Sequence, residues 1–304
     1  MSARELIVLG TSSQVPSRYR NHNGYLLRFD KLGLMFDPGE GTQRQMVFAG
    51  VSASKITRIF LSHFHGDHCL GLPGIIQRLS LDGVTDPISV HYPKSGEAYF
   101  NRLRRASIFM DKTDIQPAPV SQDGVIYEDE DVKVTAARLD HTVPCYGYRF
   151  EEKPRFRVDN AKARSIGLKG PQIGALVRNE PVSIDGKAVA RSDIGTFVAG
   201  QVFAYLLDSR PCDAARMLAK DADMVLMDST YLAAEAHLAA EYGHSTVVES
   251  VKLAAEVGVR RVVLTHFSQR YRSLDAFLEE ASPHHPDVVL ARECERVPMP
   301  SPRR

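Results

Sequence analysis

Ser62-His63-Phe64-His65-Gly66-Asp67-His68-Cys69 puts four candidate metal ligands within six residues, directly after the apolar run Ile59-Phe60-Leu61. Side chains two residues apart on a helix diverge, so His63 and His65 cannot meet one ion from a helical face. The segment is therefore expected on a loop that follows a buried strand. Imidazole and carboxylate donors without thiolate suit zinc or a similar first-row divalent ion, and more ligands than one tetrahedral ion takes point to two ions. The rest of the fold must then bring the remaining ligands to the end of that strand.

Isolated His and Asp residues downstream recur at one kind of place. Val132–Leu139 alternates like a half-buried strand and is followed by Asp140-His141. Phe203-Ala204-Tyr205-Leu206-Leu207 ends in Asp208, Met224-Val225-Leu226-Met227 in Asp228, and Val262-Val263-Leu264-Thr265 in His266. One such residue is an ordinary turn residue, but a series closing successive strands forms one rim of a sheet, where sites are commonly built. His244 joins this set. It precedes Thr246-x-x-Glu249, a capping box, and the helix Val247, Val248, Val251, Ala254, Ala255 that Gly258 ends. A helix N-terminus there offers unpaired N–H groups to an anion such as phosphate.

The first third reads as strands at Leu6-Ile7-Val8-Leu9, Tyr25-Leu26-Leu27 and Leu32-Gly33-Leu34-Met35-Phe36, an antiparallel start. The loop Pro16-Ser17-Arg18-Tyr19-Arg20-Asn21-His22, taken alone, is a solvated connection. After the third strand, Asp37-Pro38-Gly39-Glu40-Gly41-Thr42-Gln43 holds two glycines that either face a ligand or shape a turn. Thr42-x-x-Gln45 has the form of a capping box for a helix closed by Gly50. A helix begins near Leu70, and His91 lies within a strand as a satisfied structural histidine.

The 304 residues are 43% hydrophobic, enough for a large core in one big domain or two smaller ones. No apolar run reaches the roughly 20 residues of a membrane span, and Met1-Ser2-Ala3-Arg4-Glu5 lacks a signal-peptide core, so a cytoplasmic location is expected. Cys69, Cys145, Cys212 and Cys294 have no C-x-x-C spacing and are expected as free thiols. A net charge of +1 means that any nucleic-acid contact must come from a local patch. Residues 153–178 supply one: seven basic residues (Lys153, Arg155, Arg157, Lys162, Arg164, Lys169, Arg178) stand against Asp159 alone, with little apolar periodicity. The proline-rich tail over about 298–304 is expected to be disordered.

Together these residues resemble the ribonuclease Z family, metallo-β-lactamase-fold endonucleases that mature the 3′ end of tRNA. The resemblance spans nearly the whole chain. It is carried by the histidine motif and by Phe36-Asp37-Pro38-Gly39-Glu40-Gly41-Thr42-Gln43, His141-Thr142-Val143-Pro144, Asp208-Ser209-Arg210-Pro211, Gly243-His244-Ser245-Thr246 and Thr265-His266-Phe267-Ser268-Gln269-Arg270-Tyr271. It implies one domain over residues 1–304, a four-layer αβ/βα sandwich with a protruding basic arm, flexible and tRNA-binding, inserted at about 152–195. It implies two Zn2+ per chain, with Mn2+ as the other candidate: one ion on His63, His65 and His141, a second on Asp67, His68 and His266, and Asp208 bridging. Metal-activated hydroxide would attack the phosphodiester, Asp67 taking its proton, and leave a 3′-hydroxyl on the tRNA. His244, supported by Asp228, is the candidate donor to the leaving oxygen. Arg18 and Arg20, with the arm residues Lys153, Arg155, Arg157, Lys162, Arg164, Lys169, Gly170 and Pro171, would contact a tRNA precursor. The resemblance also implies a homodimer whose arm serves the partner's site.

The chain departs from the family pattern at Leu207, usually glycine, at Pro38, usually cysteine, and at Met227-Asp228-Ser229-Thr230, usually His-Glu-Ala-Thr. Two other readings compete. A small-ester phosphodiesterase or sulfatase of the same fold would need the metal motif without the basic arm, and a catalytically weak RNA-binding relative would need the arm without efficient proton donation.

Overall fold

The computed structural model describes residues 4–303; Met1, Ser2, Ala3 and Arg304 lie outside the described residues, including the first part of the start read above and the last residue of the tail. Two seven-stranded sheets face each other. The first runs, in spatial order, Arg296–Pro298, Arg4–Gly10, Gly24–Phe29, Leu32–Phe36, Arg58–Phe60, Ile88–Pro93 and Ile115–Val120. The second runs Val288–Leu290, Arg261–Thr265, Met224–Asp228, Val202–Leu206, Cys145–Glu152, Val132–Leu139 and Gly124–Glu128. Each opens with antiparallel hairpins and continues with parallel strands.

Three apolar layers hold this together. Between the sheets, Tyr25, Phe29, Phe36, Phe60, Tyr148, Phe150, Phe203 and Tyr205 form an aromatic core. Phe36 stacks on both Phe60, at 5.1 Å, and Tyr205, at 4.6 Å. Outside the first sheet, Leu72–Leu81 buries Leu72, Ile75, Ile76 and Leu79 against Ile7, Leu26, Met35 and Ile59. Outside the second, Val247 and Val251 of Val247–Glu256 pack on Val225, Val262 and Leu264. Strands buried on both faces read as near-continuous apolar runs, as Met224–Asp228 does. The result is the expected four-layer sandwich. Among the described residues, no helix is long and apolar enough to cross a membrane.

The basic segment is a folded unit. Arg155–Val158 pairs with Gly195–Val198, a hairpin joins Val182–Ile184 to Lys187–Val189, and short helices span Asn160–Ser165 and Gly170–Val177. Ala163, Leu168, Leu176 and Ile194 give it a core of its own. Elements this short repeat an apolar residue only once or twice, which is why the segment shows little periodicity.

Several local expectations need correction. The tail is ordered to residue 303: Met299 donates to Arg4 O at 2.9 Å, Gln201 to Pro300 O at 2.6 Å, and Arg303 to Asp221 O at 2.7 Å. Pro298 closes an edge strand, which can spare a donor, and Pro300 and Pro302 lie beyond it. Thr42 and Gln45 form no capping box, because Thr42 donates to Gly39 O and Gln45 to Leu9 O, and Gly41 caps the helix. His91 is buried against Phe60, yet its Nε2 has no hydrogen-bond partner; burial and Arg58 push it down to about 4. It is structural, but not satisfied.

Candidate active site

Parallel strands share a direction, so Val202–Leu206, Met224–Asp228 and Arg261–Thr265 deliver Asp208, Asp228 and His266 to one rim. Val132–Leu139 reaches the same rim with His141 through two antiparallel pairings. From the facing sheet, Arg58–Phe60 sends out His63 and His65 in extended chain. Asp67 and His68 then sit on a single helical turn, Gly66–Cys69, rather than in loop.

Asp208 stands at the centre with its two oxygens turned to different partners. Oδ2 lies 3.6 Å from His63 Nε2 and 3.7 Å from His141 Nε2, while Oδ1 lies 3.3 Å from His68 Nε2 and 3.1 Å from His266 Nε2. Asp67 Oδ2 is 3.3 Å from His68 Nε2 and 3.5 Å from His266 Nε2. His65 Nδ1 is 3.4 Å from His141 Nε2. The potential ligand atoms fall into four overlapping groups: His63, His65 and His141 with Asp208; Asp67 and His68 with His266; Asp208, Asp228 and His244 with His266; and Asp37 and His63 with His68.

These residues fit divalent ions. Ligand atoms held tetrahedrally at about 2.0–2.1 Å from zinc lie roughly 3.3 Å from one another, the spacing seen here. Three of the atoms facing the centre, His63 Nε2, His266 Nε2 and Asp208 Oδ1, are buried with no hydrogen-bond partner. An unpartnered buried polar atom is costly, and several converging on one point mark a place for a cation.

The outer nitrogens explain the aim. His63 Nδ1 meets Ser62 Oγ at 2.9 Å, His68 Nδ1 meets Asp37 Oδ2 at 2.7 Å, His141 Nδ1 meets Gly243 O at 2.9 Å, and His266 Nδ1 meets Thr230 Oγ1 at 2.8 Å. Each contact leaves Nε2 for the centre. Gly243 has φ +79°, and a Cβ there would fall 2.8 Å from His141 Nδ1, so only glycine allows this approach. Asp37 is the hub, accepting from Ser62 N and Oγ, His68 and Tyr205 Oη. The motif alone assigns no role to Asp37, Ser62 or Thr230, although Asp37 also closes a strand and the same rim rule applies to it.

Electrostatics agree with a cation site at three of the histidines; at His68 burial opposes charge, but Asp208, Asp67 and Asp37 outweigh it and hold the ring above the usual histidine range. Burial, then the neighbouring His68, hold His63 well below the usual histidine range, and burial likewise lowers His65 and His141. Neutral imidazole is the ligating form. Burial opposes charge on Asp208 and Asp67, but the surrounding histidines outweigh it and hold both carboxyls low.

His244 lies beside this cluster, its ring 5.3 Å from His141 and 5.2 Å from His266. Its Nδ1 meets Asp228 Oδ2 at 2.8 Å, and Asp228 Oδ1 accepts from Thr230 N and Oγ1. Burial pulls His244 down, but the charge and hydrogen bond of Asp228 carry it up to about 9. A cleft of about 620 Å³ opens over these groups, lined among others by Gln14, His22, Tyr231, Tyr242 and Arg270.

Residues 18–153 match the metallo-beta-lactamase superfamily. The ribonuclease Z of Nocardia farcinica is 49% identical over 306 residues, covering 100% of both chains. The ribonuclease Z of Salinispora arenicola is 47% identical, covering 100% of this chain and 98% of its own. The chain belongs to the ribonuclease Z family. Its fold is also that of human tRNase Z, short form, with a TM-score of 0.71 at 24% identity, over 97% of this chain and 99% of that one.

Against this ribonuclease Z family pattern, the expected RNA contacts divide. Arg18 is exposed, whereas Arg20 is buried and donates to Ser268 O at 3.0 Å and Tyr271 O at 2.8 Å, so it braces the His266 loop instead of facing solvent. Lys153 pairs with Glu128 and Arg155 with Glu152 at the base of the arm, and Arg178 pairs with Glu180. Arg157, Lys162, Arg164 and Lys169 are exposed and pair with no carboxylate among the described residues, and Gly170 and Pro171 open the exposed start of the second arm helix. Asp228, shorter than the family's usual glutamate, still reaches His244. Leu207 points into the aromatic core.

Proposed function

We propose that the chain is a zinc-dependent endoribonuclease that removes the 3′ trailer from tRNA precursors. Family membership makes it a hydrolase of RNA, and the observation that carries the finer reading is Asp208, whose two oxygens serve two separate ligand groups beside the His244–Asp228 pair. The all-nitrogen and oxygen donor set fits two zinc ions, one held by His63, His65 and His141, the other by Asp67, His68 and His266, with Asp208 common to both. When bound, such a pair polarises the phosphoryl oxygens and acidifies water towards neutral pH.

The chain's own groups do the rest. Asp67 orients the attacking water and accepts its proton; one of its oxygens is fixed by Gln14 N at 2.8 Å. His244, kept protonated by Asp228, donates from Nε2 to the leaving 3′ oxygen. Asp228 also fixes the ring's orientation, because its Oδ2 accepts a hydrogen bond from Nδ1–H and leaves Nε2–H for the leaving oxygen. Leaving as an alcohol gives the tRNA its 3′-hydroxyl and the trailer its 5′-phosphate.

The unpaired arm cations suit the phosphate backbone of the precursor. No arm residue lines the cleft, which favours a homodimer in which the arm of one protomer serves the cleft of its partner. A cytoplasmic location accords with this substrate. The test is cleavage of a tRNA precursor bearing a 3′ trailer, with and without a chelator. Cleavage at the tRNA 3′ end that the chelator abolishes supports the reading; hydrolysis confined to small diesters refutes it.

A further inference from the structure

We infer that Arg270 grips one phosphate of the bound RNA, the phosphate on the 5′ side of the last tRNA nucleotide, and so positions the strand over the ligand cluster. This rests on the tRNA 3′ endonuclease reading. The cleft floor carries the carboxylates of Asp67 and Asp208, and Arg270 is the one arginine or lysine among its lining residues. Apart from the ligand cluster and His244, a polyanion crossing this cleft therefore meets one permanently charged side chain among the described lining residues. The Arg270 guanidinium lies over the Tyr231 ring, 5.2 Å from its centroid, which holds its plane. Its backbone N–H is turned to Ser268 Oγ at 3.5 Å, and its side chain pairs with no carboxylate among the described residues. The planar fork is therefore free to bind a phosphate through two N–H donors at once. Arg20, the other arginine near this loop, is spent on two carbonyl oxygens.

Strand direction follows from proton donation. His244 donates to the 3′ oxygen of the last tRNA nucleotide, so that nucleotide lies on the His244 side of the reacting phosphorus. Tyr231 belongs to that side, its ring 6.2 Å from the His244 ring. The next phosphate met there is the one 5′ of this nucleotide, and Arg270 on Tyr231 is the cation placed to receive it.

The experiment is a coupling cycle between protein and RNA. Wild type, Arg270→Ala and Arg270→Lys are compared on a natural precursor and on one with a neutral methylphosphonate at that single linkage. The neutral linkage is expected to cut wild-type kcat/KM roughly 10- to 100-fold, and Arg270→Ala to cut it by a similar factor on natural RNA. The methylphosphonate should then cost Arg270→Ala nothing more. Arg270→Lys should recover part of the loss, since it restores charge but not the fork. Arg270 is exposed, so thermal midpoint and metal content should match wild type. Losses that multiply would overturn the contact. Coupling found only at a methylphosphonate on the trailer side would overturn the assigned direction. If wild type binds the natural precursor without cutting it, the endonuclease reading falls and the assigned direction with it, while the contact between Arg270 and a phosphate is still tested by the same cycle read in precursor affinity.

Discussion

Replacing Asp228 by Asn removes a charge while keeping the shape that holds His244. In the folded protein His244 stands at about 9 because Asp228 outweighs burial. With a neutral amide in its place burial dominates, and His244 should fall to or below its ordinary value near 6.5. At about pH 8 the protonated fraction would drop from roughly nine-tenths to a few hundredths, a loss of about 30-fold in the donating form. At about pH 6 the same change leaves most of the histidine protonated, and the loss shrinks to a few-fold or less. The assay is single-turnover cleavage of a trailer-bearing precursor across this range, with metal content checked. The ratio of wild type to Asp228→Asn should therefore widen as pH rises, and the alkaline limb of the variant should move down. A constant ratio would refute the argument and leave Asp228 only a structural role. The same shift bears on stability. A raised histidine stabilises the fold fully below about 6.5, and that contribution is lost as pH rises through about 9, so Asp228→Asn should lower the thermal midpoint more in acid than in alkali.

Asp208→Ala should release both ions together, whereas His141→Ala and His266→Ala should each weaken mainly one site; metal content per chain measures this, and two ions retained in Asp208→Ala would rule out bridging. Replacing residues 155–198, the whole ladder-closed arm, with a short Gly/Ser linker should abolish precursor cleavage and spare hydrolysis of a small phosphodiester, and equal loss on both would make the arm part of the main fold. Lys162, Arg164 and Lys169 to Ala should flatten the salt dependence of precursor binding by up to about one log–log unit per lost phosphate contact, and an unchanged slope would show these charges to be merely solvated.

Much of the candidate site's placement is legible because donors gathered at a strand rim leave a local signature. An apolar run that ends in His or Asp says both that a strand stops and that a donor sits at its end, and His141, Asp208, Asp228 and His266 each carry this mark. What stayed hidden depends on partners far apart in sequence. Arg20 looks like a solvated cation beside Arg18, and only the packing of residues 268–271 turns it inward. Lys153 counts as a free charge until Glu128 arrives from a neighbouring strand, whereas Arg155 pairs with Glu152, three residues before it and just outside the basic segment. The arm's core escaped for a related reason, since Ala163, Leu176 and Ile194 come from three separate short helices and Leu168 from a loop between two of them. Thr42 could be read as a cap, but tertiary structure offered it and Gln45 other acceptors.

The backbone at the rim shows how the outer shell and the centre depend on one another. Asp37, Asp208 and His266 all adopt left-handed conformations, with φ of +41°, +49° and +65°. For non-glycine residues such conformations cost on the order of 1–3 kcal/mol each. They turn the chain sharply as it leaves the sheet and swing each side chain over the rim, which an extended continuation would not do. At Asp37 the cost is offset by bonds from Ser62, His68 and Tyr205, and at His266 by Thr230. At Asp208 no comparable hydrogen bond reaches Oδ1. Leu207, buried in the aromatic core, anchors the chain immediately before Asp208, but the carboxylate itself is left facing four imidazoles. Asp37 and His266 are thus braced by hydrogen bonds to their outer atoms, while Asp208 keeps a buried unpartnered oxygen among the imidazoles, where a bound cation would have the most to offset.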